Sequence, residues 1–227
     1  MSIVLGLKFA HLLLFVYWLG GDLGTYYASR WVMRGDLGAS PRLTSARIML
    51  AIDTVPRLCM PLALATGVNL AALQGRLIVS PMTVAAIWTL AVVWLALAWS
   101  AHHCRGRTNS ARLERIDRWF RQLVAVGLAM FAFTVLASGT GDSTWVAIKL
   151  LVFDVAVIAG LAVRRALAHF PRALAELASQ AEAAPGAPAR RDTSLALEGS
   201  LGRCRVWVAL IWLTLLTNAA LGIHLLP

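Results

Sequence analysis

Charge is scarce in this sequence, and acidic charge is the scarcest kind. Charged residues make up 14% of the 227, with 11 acidic against 21 basic, where soluble domains carry about 25% charged residues. A water-soluble globule of this length is therefore excluded, and so is a chain kept disordered by its own charge. Cysteine is nearly missing too. Cys59, Cys104 and Cys204 are the only three, with neither the even count of a disulfide framework nor the close pairing of a zinc site. The first apolar run has no basic segment before it and no small-residue cleavage site after it, so it reads as a retained span, not a leader. No internal repeat is visible.

What fills the chain instead is apolar sequence, 59% hydrophobic by count. Runs of about 20 such residues match the thickness of a hydrocarbon layer, and with no water there to satisfy the backbone they must be helices. Three are free of charge: 77–101, 122–141 and 206–227. Three more carry isolated charges: 3–27, 48–74 and 145–163. The expectation is an all-α polytopic transmembrane bundle, one membrane domain over 1–227. Its spans are expected near 3–27, 48–74, 77–101, 122–141, 145–165 and 205–226.

The net charge of +10 would suit nucleic acid, but its location does not. Arginines gather between spans one and two (Arg30, Arg34, Arg42, Arg47), three and four (Arg105 to Arg121), and five and six (Arg164 to Arg205). The alternate connections hold Arg76 alone. That alternation is the positive-inside pattern. It puts the basic loops in the cytoplasm, both termini outside, and the chain in a bacterial inner membrane, with anionic lipid heads as the arginines' partners and no nucleic acid.

The longest connection, 166–203, is expected as a cytoplasmic loop, with a short helix opening at Pro171 and a Pro-Gly-Ala linker after it. In 105–121, Leu113, Ile116, Trp119 and Phe120 recur at helical spacing among arginines, which predicts a separate interfacial helix.

Ionisable residues within spans are costly and therefore functional candidates. Lys8 and His11, three apart, share one face of span one, with His11 about 12 Å below the outer boundary at 1.5 Å per residue. An imidazole there can ligate haem iron or another metal, relay protons, or bond a neighbouring helix. Asp53 and Arg57 have the spacing of an ion pair, with Asp22 expected at similar depth. Lys149 in span five can snorkel outward or meet an acidic cofactor edge. Asp154, deeper in the same span, has no local partner in sequence. His102 and His103 end span three, and His224 nearly ends span six. Cys59-Met60 is the one soft-ligand pair, weak grounds for copper.

The motifs Lys8-Phe-Ala-His11, Trp18-Leu-Gly20-Gly21, Thr66-Gly67 and Lys149-Leu-Leu, with Arg164-Arg165 ending span five, resemble the CopD-type membrane domain. Span one and the stretch from His102 to Phe120 are also similar to HemJ-type membrane protoporphyrinogen oxidases. The resemblance, through short motifs over about two-thirds of the chain, implies haem b ligated by His11 and a lysine of a later span needed for activity, here Lys149. The absence of any lysine in span three departs from the HemJ pattern.

Three functions follow as expectations. The first is a b-type haem redox protein. It would oxidise a small substrate or pass electrons between a dehydrogenase partner and quinone. His11 would hold the iron, Lys8, Lys149 and His224 would line the cofactor, and Lys149 and Asp154 would be catalytic. His224 is somewhat shallow and Met60 somewhat deep for a second ligand. The alternatives are copper transport and a non-catalytic anchor or assembly subunit.

Overall fold

In the computed structural model the described residues are 3–103, 110–137, 141–184 and 186–223. Among them the chain forms eight α-helices and no strand. These are α1 (Ile3–Val32), α2 (Ala39–Ile52), α3 (Thr54–Leu73), α4 (Pro81–His103), α5 (Ser110–Ala137), α6 (Gly141–Ala166), α7 (Phe170–Ala183) and α8 (Arg191–Gly222). Six helical segments are long and apolar enough to cross a membrane, with α2 and α3 together making the second. The protein is thus all-α and multi-pass. Exposed side chains such as Phe9, Val16, Leu123, Met130 and Phe133 are apolar, as surfaces facing lipid must be.

Several helices outrun the expected spans. At 1.5 Å per residue the 32 residues of α8 reach about 48 Å, well past a hydrocarbon core of about 30 Å. The segment 166–203, read from sequence as a loop, contains α7 and the first turns of α8. Residues 110–121 are corrected outright. They form no separate interfacial helix but the start of α5, continuous with its apolar part. The buried stripe Val124, Leu128, Ala132 extends back through Arg121 to Asp117, while Ile116 and Trp119 are exposed.

The chain divides into two compact units. One comprises Met1–Leu19, Val55–Ile158 and Leu213–Pro227, the other Gly20–Thr54 and Ala159–Trp212.

In the second unit, α2 buries Ala39, Arg42, Ala46 and Met49, and α7 buries Phe170, Ala173, Leu177 and Ala181. Both sets recur at three- and four-residue steps, one face each. These faces join Ala28, Val32, Leu197 and Leu201 in a single core. Pro171 occupies the first turn of α7, where its missing N–H costs nothing. The turn after α1 carries Arg34, whose Nε donates to Asp36 Oδ1 at 3.0 Å, and that hydrogen bond holds the Asp36 carboxyl below its usual range.

Arg42, which the loop pattern assigns to lipid heads, is instead completely buried. Its Nε donates to the Val32 carbonyl at 2.8 Å and its Nη1 to Ser194 Oγ at 2.8 Å. It thereby satisfies one of the carbonyls that a helix end leaves open and ties α1, α2 and α8 together. Arg42→Ala is expected to destabilise the protein by about 3 kcal/mol, the scale for losing charged hydrogen bonds and stranding a buried acceptor. The measurement is thermal unfolding in detergent, and a midpoint equal to wild type would show that this staple contributes nothing.

Candidate functional site

Within the first unit, α1, α3, α6 and α8 enclose a cavity of about 590 Å³, inside the range of small-molecule sites. Its inner wall is apolar, including Phe15, Trp18, Leu64, Leu150, Phe153 and Leu215. Trp18 and Phe153 meet edge to face at 5.8 Å between centroids. The mouth is different. Lys8, Gln74, Arg76 and Lys149 stand there, and no Asp or Glu is among the described residues that line the cavity.

Two of the cations are placed by local devices. Gly75 adopts φ 70°, a left-handed conformation that glycine takes without strain. The Arg76 N–H then reaches back to the Ala71 carbonyl at 3.0 Å, the six-to-one bond of a helix C-terminal motif. This turn carries the Arg76 guanidinium over Trp145, 5.0 Å from the ring centroid. Lys149, one helical turn beyond Trp145, brings its ammonium to 4.6 Å from the same ring. Two cations on one indole are each stabilised by its π-face, yet they repel one another and favour an anion between or beside them. Gly222 leaves room for the lysine: a Cβ there would stand 3.2 Å from Lys149 Nζ. The Asn218 amide, oriented to donate to the Lys149 carbonyl (3.2 Å) and accept from the Phe153 N–H (3.3 Å), fixes α8 against α6 at this level.

His11 lies deeper. Its Nδ1 is 2.8 Å from Thr66 Oγ1, and its Cε1 edge rests on Gly67, where a Cβ would come within 3.2 Å. Nε2 makes no hydrogen bond among the described residues. The Thr66-Gly67 pair is thus the seat of the imidazole: one residue bonds it, the next makes way for it.

Of the residues expected from sequence, His11, Lys8 and Lys149 come together in this cavity. Asp154 does not line it. Its side chain is buried, and Oδ1 has no hydrogen-bond partner among the described residues. His224 lies outside the described residues. Met60 is buried in the same unit but is not part of the cavity wall, and its sulfur accepts from Arg121 Nη1 at 3.8 Å. Asp53 caps α2, and Arg57 sits in the first turn of α3. Among the described residues no three His, Cys, Asp or Glu side chains gather as a metal cage.

Arg76 and Trp145 were passed over as site residues in the sequence, although one signal was available. The chain has only two lysines among its 21 basic residues. Arg76 is the sole basic residue of the outer connections and falls at the same end of the spans as both lysines.

A second cavity of about 390 Å³ lies among α3, α4 and α5 and is apolar throughout except for Thr83. Leu64 and Val68 line both cavities.

No known protein family, curated protein or solved structure matches this chain.

Proposed function

We propose that this protein is an integral membrane redox protein whose cavity holds a b-type haem ligated by His11. The observation that carries the reading is the combination in one cavity: an imidazole seated on Thr66-Gly67, apolar walls, and a mouth lined by three cations, with no acid among the described lining residues. A ligand suited to those walls is amphipathic, anionic at one edge and able to accept a nitrogen donor deeper in. Haem b has that chemistry. Its propionates would meet Lys149, Arg76 and Lys8, its ring the aromatic and aliphatic wall, and its iron the imidazole.

The chain's own donor set suits such a group. Neither Lys8 nor Lys149 forms an ion pair among the described residues, so both ammonium groups are available to an incoming carboxylate. Gly67 keeps the approach to the imidazole open. When bound, haem supplies one-electron chemistry, and the protein supplies the axial nitrogen, counter-charges and exclusion of water. His11 orients, the three cations bind the acidic edge, and Trp18 with Phe153 closes the inner end to solvent. The likeness of the short motifs to CopD-type and HemJ-type membrane proteins supports the same cofactor.

In this reading the cavity mouth faces the outer side of a bacterial inner membrane, and a quinone or a dehydrogenase subunit exchanges the electrons. Copper carriage has less behind it, because the soft pair Cys59-Met60 lies off the cavity wall.

The test is a reduced-minus-oxidised visible spectrum of protein purified from haem-replete cells. A b-type α-band is expected in wild type, with haem per polypeptide at least about tenfold lower in His11→Ala, the lower end of the losses seen when a metal site is impaired. A featureless wild-type spectrum, or a band untouched by the substitution, would sink the proposal.

A further inference from the structure

We infer that Thr66 is a positioning residue: it holds His11 in the tautomer protonated on Nδ1 and so leaves Nε2 as the nitrogen offered to a ligand. The inference rests on His11 being the donor of the cavity, but the tautomer itself is a property of the chain with or without haem.

The number of protons available decides the direction of the bond. A threonine hydroxyl has one hydrogen to give and lone pairs to accept with. Thr66 Oγ1 lies 2.7 Å from the Leu62 carbonyl and 3.3 Å from the Ala63 carbonyl, both acceptors only. Two oxygens at 2.7 Å repel unless a proton lies between them, so the hydroxyl hydrogen is directed back into α3, the usual back-bond of a helical threonine. The contact to His11 Nδ1 at 2.8 Å must then be completed from the other side, with Nδ1–H donating and Oγ1 accepting. A neutral imidazole carries one ring proton. With it on Nδ1, Nε2 keeps its lone pair.

Two further observations fit. Gly67 meets the Cε1 edge of the ring, so the imidazole is held on one edge by a bond and on the adjacent edge by contact. Turning the ring over would put a carbon against Thr66 Oγ1 and lose the bond. Metal-ligating histidines commonly donate their second ring N–H to a neighbour, which fixes the tautomer and raises the basicity of the ligating nitrogen. Thr66 supplies that neighbour through an oxygen polarised by its own bond to the backbone. A mere interhelical bond between α1 and α3 would serve with either tautomer. The back-bond makes the arrangement directional.

The measurement is the ¹⁵N spectrum of histidine-labelled protein in detergent without added haem, at alkaline pH where imidazoles are neutral. The His11 signals, among the five histidines, are assigned by their loss in His11→Ala. Wild type is expected to show the Nδ1–H form, Thr66→Ser to keep it, and Thr66→Val to lose it. In haem-loaded protein Thr66→Val is expected to weaken haem binding about 10- to 100-fold and shift the midpoint potential, with Thr66→Ser restoring both. An Nε2–H tautomer in wild type, or an Nδ1–H form unaltered by Thr66→Val, would overturn the inference. A wild type that shows the Nδ1–H form but takes up no haem supports it while removing the haem reading, so the two failures are separable.

Discussion

Asp117→Ala is expected to cost this protein about 3–5 kcal/mol, the range for removing one partner of a buried ion pair. Asp117 is completely buried and Arg121 almost so. Arg121 Nε lies 3.1 Å from Asp117 Oδ2 and 3.2 Å from Oδ1, an i, i+4 pair on α5. The guanidinium also stands 5.2 Å over the Trp94 ring, and Trp94 in turn packs edge-on to Phe120 at 6.3 Å. The carboxylate is what allows a cation to lie inside this core. Without it the guanidinium is charged in surroundings that hydrate it poorly, since arginine does not surrender its proton. The thermal midpoint in detergent should fall by roughly 6–20 °C, at about 2–4 °C per kcal/mol for a chain of this size. Replacing both members, Asp117→Leu with Arg121→Met, should recover most of the loss, because an apolar pair of similar volume removes the need to bury these two charges. A single substitution as stable as wild type would mean that α5 does not bury this face.

With haem held by His11 as proposed, Gly67→Val is expected to abolish its binding as completely as loss of the ligand itself. A Cβ at position 67 already stands 3.2 Å from His11 Cε1, inside the 3.5–4.0 Å at which carbon atoms attract. Two further methyls must push the ring off Thr66 or fill the space beside it. Gly67→Ala gives the informative intermediate. In a helix interior alanine is favoured over glycine by about 0.5–1 kcal/mol, so stability should hold or rise while haem per polypeptide falls. Opposite signs from one substitution mark a residue kept for the cavity and not for the fold. The check is haem content and thermal midpoint measured on the same preparations, and unchanged haem in Gly67→Val would refute the contact.

How far these features were visible in sequence depended on which physical rule governed them. Spans were legible because the cost of a charge in hydrocarbon applies residue by residue, and runs such as 77–101 admit none. His11, Lys8 and Lys149 were legible for the same reason, as exceptions to that cost. The Asp117–Arg121 pair was not. It lies in an arginine-rich stretch where about every second residue is charged, and the apolar residues Ile116 and Trp119 suggested the wrong buried face. Extending the stripe Val124, Leu128, Ala132 backward by helical steps would have reached Arg121 and Asp117 instead. Arg42 was hidden differently. Its partners, Val32 and Ser194, are remote in sequence from each other, and loop statistics treat every basic residue as solvated. Arg76 depends on a turn at Gly75, whose geometry a hydropathy profile does not register. Thr66 entered only as half of a short motif, because nothing in a sequence states which way a hydroxyl points.

The two lysines have one more consequence. Beyond the chain's own amino terminus they are its only primary amines, and both stand at the rim of the same cavity. Acylating reagents, which on most proteins modify a scatter of surface positions, would here address, besides that terminus, one place. The extent of modification, read peptide by peptide in a mass spectrometer, becomes a footprint of whatever fills that rim, and it needs neither a chromophore nor an assay.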